Sequence, residues 1–174
     1  MQTFYMTDAG KVRTHNEDNV TIISNNNNEF ILAVADGMGG HKAGEVASNI
    51  AIEHITESFE SMQSLGKKED AIDWLRQVVR EINDNIFSYT NKHPESKGMG
   101  TTLVIAVKTD EYILYGNIGD SSGYVIKNKK LHKVTKDHTL VNLLVSTGEL
   151  TPEQAKFHPR KNLLTRALGA NDPI

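Results

Sequence analysis

The 174-residue sequence contains no cysteine, which excludes disulfide scaffolds, thiolate zinc sites and cysteine nucleophiles. It lacks a dominant charge: 19 Lys and Arg stand against 22 Asp and Glu, a net −3 that gives no reason to expect nucleic acid. Long apolar runs are also missing. The longest, Phe30 to Ala35, falls far short of the ~20 residues that cross a bilayer, and Met1 to Tyr5 has neither the basic start nor the apolar stretch of a signal peptide. No membrane insertion and a cytoplasmic location are therefore expected. No His pair has zincin spacing, no glycine-rich loop ends in Gly-Lys-Ser/Thr, and Ser121 has no nucleophile-elbow context. Carboxylates, His, hydroxyls, Arg, Lys and backbone are left to carry any chemistry.

With 38% hydrophobic residues, the chain can build a core, and its length suits one domain over residues 1–174. No internal repeat or interdomain linker is visible. Charge is unevenly spread. Met1–Lys97 holds 9 basic and 15 acidic residues, and Gly98–Ile174 holds 10 and 7. The basic excess gathers at Lys127, Lys129, Lys130, Lys133 and Lys136, then at Arg160, Lys161 and Arg166. Two readings stand, a solvated hairpin surface or a surface that attracts anionic partners.

Strands are predicted at Phe4–Thr7, Val20–Ile23 and Phe30–Ala35, the last as a continuous apolar run buried on both faces. Apolar residues at three- and four-residue spacing predict helices over Lys42–Met62 and Glu69–Tyr89, paired antiparallel on a sheet. Further strands follow at Thr102–Val107, Tyr112–Ile118, Gly123–Ile126 and Leu131–Val134, with Asn128-Lys129 as a tight turn. A helical part begins near Thr139, and Thr151-Pro152-Glu153-Gln154 has the form of a capping box. Strands, two helices, strands and small helices in that order predict an α+β fold, with helices on a mostly antiparallel sheet.

Three segments concentrate chemistry. In Asp36-Gly37-Met38-Gly39-Gly40-His41 an aspartate follows a fully apolar strand, where an unpaired carboxylate is costly. The glycines let the backbone turn and offer carbonyls, and hard cations such as Mg²⁺ and Mn²⁺ favour such oxygens. A helix-entry turn with Asp36 as a cap is the alternative. In Arg13-Thr14-His15-Asn16-Glu17-Asp18 a cation stands close to two carboxylates, whose side chains point to opposite sides if the chain is extended. Arg13 can clamp a phosphate through its planar fork, or the segment is a solvated turn with a local salt bridge. In Gly116-Asn117-Ile118-Gly119-Asp120-Ser121 an acid again follows a strand and a glycine, as a second delivered carboxylate or as an Asx turn.

Together these segments resemble the protein phosphatase 2C family of metal-dependent Ser/Thr protein phosphatases, in its compact bacterial form. The resemblance rests on Arg13–Asp18, Asp36–His41, Gly98-Met99-Gly100-Thr101-Thr102, Gly119–Ser121, Asp137-His138 and Leu164–Gly169, in family order. It implies an antiparallel β-sandwich flanked by helices, and two or three divalent cations, Mn²⁺ or Mg²⁺. It further implies hydrolysis of phosphoserine and phosphothreonine in proteins, with hydroxide from a metal-bridging water attacking phosphorus in line. By the same resemblance, Asp36 bridges two metals, Glu17 and the Gly37 carbonyl bind one, Asp18 supports them, Asp120 binds a third, and Arg13 holds the substrate phosphate. Residues 137–166 correspond to a variable flap.

The implied partners are phosphorylated proteins, including a bacterial Ser/Thr kinase and its substrates, and the implied state is a monomer. The resemblance departs at Ser122, where the family usually has Arg, and at Met38, where animal members carry a His acid, leaving His41 as a nearby candidate. It also calls for two later aspartates, in Asp-Gly and Asp-Asn motifs. The sequence stops at Asn171-Asp172-Pro173-Ile174, so the domain is expected to be incomplete, lacking its last strands and helix. A truncated, inactive phosphatase-like binding module is the alternative to an enzyme.

Overall fold

The computed structural model describes residues 1–40, 42–170 and 173–174. The strands are β1 (Asp18–Ser24), β2 (Phe30–Met38), β3 (Gly100–Thr101), β4 (Leu103–Lys108), β5 (Ile113–Ile118), β6 (Tyr124–Lys127) and β7 (Lys130–Lys133). The helices are α1 (Ala43–Glu60), α2 (Lys68–Lys92), α3 (Leu140–Ser146) and α4 (Pro152–Phe157). A five-stranded antiparallel sheet runs β1-β2-β4-β5, with β3 pairing the end of β2, while β6 and β7 form a separate hairpin.

Alternation decides which side of the sheet the helices cover. Ile31, Ala33 and Ala35 on β2 and Leu103, Ile105 and Val107 on β4 are all buried, at every second position. They join the buried stripes of α1 (Ala47, Ala51, Ile55, Phe59) and α2 (Val78, Ile82, Ile86) in one core. The opposite face of the sheet is open: Val34 is 45% exposed, and Ile113 and Tyr115 are exposed beside it. The expectation that β2 is buried on both faces is corrected on this point, because helices cover only one side.

A second correction concerns Phe4–Thr7, which forms no strand, and Phe4 is 85% exposed. A strand needs a neighbour to complete its ladder, and this segment has none among the described residues. Besides the five-stranded sheet, the described residues form the two-stranded β6–β7 sheet, in keeping with a fold expected to lack its last strands. The α+β class, with an antiparallel sheet and flanking helices, is the one observed.

Local chemistry explains the connections. Buried Glu29 accepts hydrogen bonds from Ser64 Oγ (2.9 Å), Leu65 N–H (2.9 Å) and Asn25 Nδ2 (2.5 Å), and so ties the α1–α2 linker to the β1–β2 hairpin. Asn128 and Lys129 both have positive φ, 53° and 62°, the turn geometry that joins β6 to β7 without splaying them. Thr139 caps α3, and the capping box at Thr151 and Gln154 starts α4. The chain then returns to the sheet, where Thr101 and Leu168 exchange backbone hydrogen bonds of 3.0 Å each.

Candidate functional site

The site lies where β1 starts and β2 ends. Register places Asp18 directly opposite Asp36. Both side chains leave on the open face, because Ala35 and Gly37 between and beside them are the buried positions facing α1. The β2–β4 register continues through Gly37 opposite Thr101, which sets Thr102 beside Asp36 on its other side.

The Asp36 backbone is held at both ends. Its N–H donates to Thr102 Oγ1 at 3.1 Å, and its carbonyl accepts from Thr102 N–H at 2.9 Å and Thr101 Oγ1 at 3.0 Å. An aspartate at a strand end is thus fixed without using its carboxylate.

Glycine is required one residue later. A Cβ on Gly37 would collide with the Gly44 carbonyl oxygen and stand 2.6 Å from the Glu17 carbonyl oxygen. A Cβ on Gly44 would stand 2.8 Å from the Gly37 carbonyl carbon and 2.9 Å from Glu17 Oε1. The end of β2, the residue before β1 and the first turn of α1 therefore meet backbone to backbone. The Glu17 carbonyl accepts from Gly37 N–H (3.1 Å) and Ser48 Oγ (2.7 Å), which locks the three elements together.

Glu17 and Asp18 diverge, as the extended-chain argument predicts. The Glu17 carboxylate lies against the first turn of α1, where the positive end of the helix favours it. Arg13 Nη1 stands 3.8 Å from Glu17 Oε2, with the Arg13 side chain 70% exposed, so this ion pair is weak.

The charge balance at Asp36 is the clearest electrostatic feature. Its carboxyl is pushed up to about 6, first by partial burial, then by the neighbouring Asp18 carboxylate and the hydrogen bond shared with it, then by Asp120. Arg13 opposes the rise without cancelling it. The cluster holds more negative charge than its own cation neutralises, and its donors are the hard oxygens that divalent cations such as Mn²⁺ and Mg²⁺ prefer. These donors fit part of a cation centre. Among the described residues, no group of three or more Asp, Glu or His side chains is close enough to hold an ion alone.

The structure therefore brings Asp18 and Asp36 into contact, with Asp120 and Arg13 within electrostatic reach. It sets Glu17 on the α1 side and buries Gly37 at the junction. His41, the candidate acid, lies outside the described residues, as does Asp172. Ser122 Oγ and Lys133 Nζ both reach Asp137, the lysine at 2.6 and 2.7 Å. Sequence reasoning gave no role to the hydroxyls of Thr101, Thr102 and Ser121. Their signal was the Gly98–Thr102 and Gly119–Ser121 motifs themselves.

Comparison with known proteins places the chain among characterised relatives. Residues 9–169 match the family model of protein phosphatase 2C. The serine/threonine phosphatase stp of Listeria monocytogenes is 42% identical over the whole chain, which spans 69% of that protein's length. The protein phosphatase PhpP of Streptococcus pneumoniae is 35% identical, again over the whole chain and 70% of its own length. Among solved structures, the serine/threonine phosphatase Stp1 of Staphylococcus aureus superposes with a TM-score of 0.87 at 41% identity, covering 95% of this chain and 65% of that one. The catalytic domain of the phosphatase PstP, in complex with two manganese ions, superposes with a TM-score of 0.77 at 36% identity, covering 94% and 65%.

Proposed function

This chain belongs to the protein phosphatase 2C family, and on that premise we propose that it hydrolyses phosphoserine and phosphothreonine in proteins with the aid of divalent cations. The observation that carries the reading is the Asp18–Asp36 carboxyl pair, charged beyond what Arg13 offsets, at the strand end of the family's Asp-Gly-Met-Gly-Gly-His segment. The solved PstP catalytic domain holds two manganese ions, and Mn²⁺ or Mg²⁺ is the natural complement to this oxygen cluster.

In this reading Asp36 would be shared between two cations, Glu17 and the Gly37 carbonyl would be further ligands, Asp18 would support them and Asp120 would serve a third, looser cation. Cations held there would supply a water-derived nucleophile near neutral pH and offset phosphate charge. The chain's own contribution is placement. The hydrogen bonds to the Asp36 backbone and the Gly37–Gly44 contact keep the carboxylates in register. Arg13, exposed and only loosely paired, is free to take a phosphate oxygen through two donors. Phosphoryl transfer needs mainly this positioning and charge neutralisation.

Residues 1–174 form one catalytic domain in this reading, and residues 137–166, which carry α3 and α4, act as the flap beside the site. The proposed partners are phosphorylated proteins, among them a bacterial Ser/Thr kinase and its substrates, met by a cytoplasmic monomer. Among the described residues, no helix is long and apolar enough to cross a membrane.

The test is hydrolysis of a phosphothreonine peptide by the full-length protein, with Mn²⁺ and after chelation. Release of phosphate that depends on added Mn²⁺ supports the assignment. No release with Mn²⁺ present defeats it.

A further inference from the structure

One hydroxyl in the sheet has more than a ladder role. Thr102 is buried, yet its Oγ1 accepts the Asp36 N–H at 3.1 Å and lies 2.7 Å from Ser121 Oγ. Ser121 directly follows Asp120. Two hydroxyls thus connect the strand end that bears Asp36 with the strand end that bears Asp120. On the same side, Gly119 packs on Thr102: a Cβ at Gly119 would stand 2.6 Å from Thr102 Cγ2, and its φ of +96° is one that glycine adopts without strain. The threonine methyl therefore sets how closely the β5 end approaches, and its hydroxyl sets the angle.

The contact is polar where an apolar one would pack equally well. Valine has the volume and branching of threonine, and a strand favours both. The hydroxyl supplies what valine could not: an acceptor for the Asp36 N–H and a partner for the Ser121 side chain, so that one group ties the two together. A backbone donor that loses its acceptor is held less firmly, so the strand end that carries the Asp36 carboxylate opens more readily.

We propose that Thr102 is a positioning residue whose hydroxyl, bridging the Asp36 amide and Ser121, holds the strand ends of Asp36 and Asp120 at the spacing in which both act on one cation centre. The inference rests on the phosphatase reading only for its activity arm. Cation binding and backbone protection test it independently.

The experiment compares Thr102→Val, Thr102→Ser and Ser121→Ala in the full-length protein. Three quantities are measured: the Mn²⁺ dissociation constant by electron paramagnetic resonance, hydrogen exchange of the Asp36 amide without metal, and kcat and KM on a phosphopeptide. Thr102→Val is expected to speed Asp36 exchange about tenfold and weaken Mn²⁺ binding about five- to tenfold, as loss of one buried hydrogen bond implies. It should lower kcat more than it changes KM. Thr102→Ser keeps the hydroxyl and should restore Mn²⁺ binding. Ser121→Ala should weaken Mn²⁺ binding about threefold and add little on top of Thr102→Val, since both act through one bridge.

Wild-type Mn²⁺ affinity in folded Thr102→Val overturns the proposal. So does Thr102→Ser binding Mn²⁺ as poorly as Thr102→Val, which would assign the effect to the methyl group. If Thr102→Val does not fold, Ser121→Ala decides: unchanged Mn²⁺ affinity overturns the bridge, and weakened affinity supports it. If the wild type binds Mn²⁺ with this order of variants but hydrolyses no phosphopeptide, the positioning role stands and the phosphatase assignment falls.

Discussion

Asp18 and Asp36 face each other across neighbouring antiparallel strands, close enough that the Asp18 carboxylate helps push the Asp36 carboxyl up. Like charges directly opposite in a sheet are destabilising, so this pair works against the fold that presents it. On the same face of the two strands, the next two cross-strand pairs, Val20 with Val34 and Ile22 with Leu32, are apolar. Four predictions follow from the acidic pair and its surroundings.

Asp36→Asn removes one charge of the pair and keeps its shape. Phosphatase activity should fall by about 100-fold or more, because a centre of charge neutralisation is lost. The metal-free protein should become more stable at pH 7, since the Asp18 repulsion and the desolvation of a second carboxylate disappear. Thermal unfolding without metal, run beside a phosphopeptide assay with Mn²⁺, checks both halves. Loss of stability together with activity would assign Asp36 to the fold instead.

Asp36 should make the stability of the metal-free protein depend on pH in a defined direction. The Asp36 carboxyl sits at about 6 in the folded protein against an ordinary 3.8. The folded state therefore holds its proton more tightly between those values, so the Asp36 share of stability, read as wild type minus Asp36→Asn, declines as pH rises from about 4 to 6 and then levels off, while the lowered Glu81 carboxyl contributes the opposite slope to both proteins. Asp36 lies on the open face, so solvent screening reduces the change to on the order of 1 kcal/mol. Denaturant titration of both proteins across this range reads it. A rise in that difference over the same interval would contradict the assignment.

Gly37→Ala and Gly44→Ala should each destabilise the protein by about 1–3 kcal/mol or more, because a methyl group at either position meets backbone that cannot rotate away. Gly40→Ala serves as the comparison, since a Cβ there has nothing within 4 Å. Chemical denaturation of the three variants ranks them.

Arg13→Ala should leave stability within about 0.5 kcal/mol of wild type, as an exposed side chain in a 3.8 Å ion pair implies. It should lower kcat/KM for a phosphopeptide by roughly 100-fold, through loss of a charge-assisted clamp on phosphate. Unchanged kcat/KM would remove Arg13 from the site.

The sequence made the helices and most strands legible because their signals are local. The stripe from Ala43 to Phe59 repeats at helical spacing, the run from Phe30 carries β2, and Thr151 to Gln154 spells its own cap. Phe4–Thr7 was misread because aromatic and β-branched residues favour a strand, but a strand also requires a neighbour, which no local pattern encodes. The exposure of Val34 was missed for a related reason: an apolar run reports that burial is possible, not how many layers are present.

Within the site, the approach of Asp18 to Asp36 was not visible, since register depends on the hairpin at Asn25–Glu29 and not on the acidic residues. The divergence of Glu17 from Asp18 was visible, because adjacent residues of an extended chain point opposite ways. The hydroxyls of Thr102 and Ser121 escaped notice because residues 19 positions apart give no spacing signal.

The face of the sheet that carries Val34, Ile113 and Tyr115 has a consequence for the acids at its end. Partial burial already makes the Asp36 charge costly, and water on the exposed part of that face keeps the repulsion between the two carboxylates below its value in a dry interior. An apolar layer laid over Val34 and Tyr115 would lower the dielectric there and strengthen every charge interaction beneath it, including attraction for a cation. The electrostatic strength of the Asp18–Asp36 pair is therefore set as much by what lies across this face as by the carboxylates themselves.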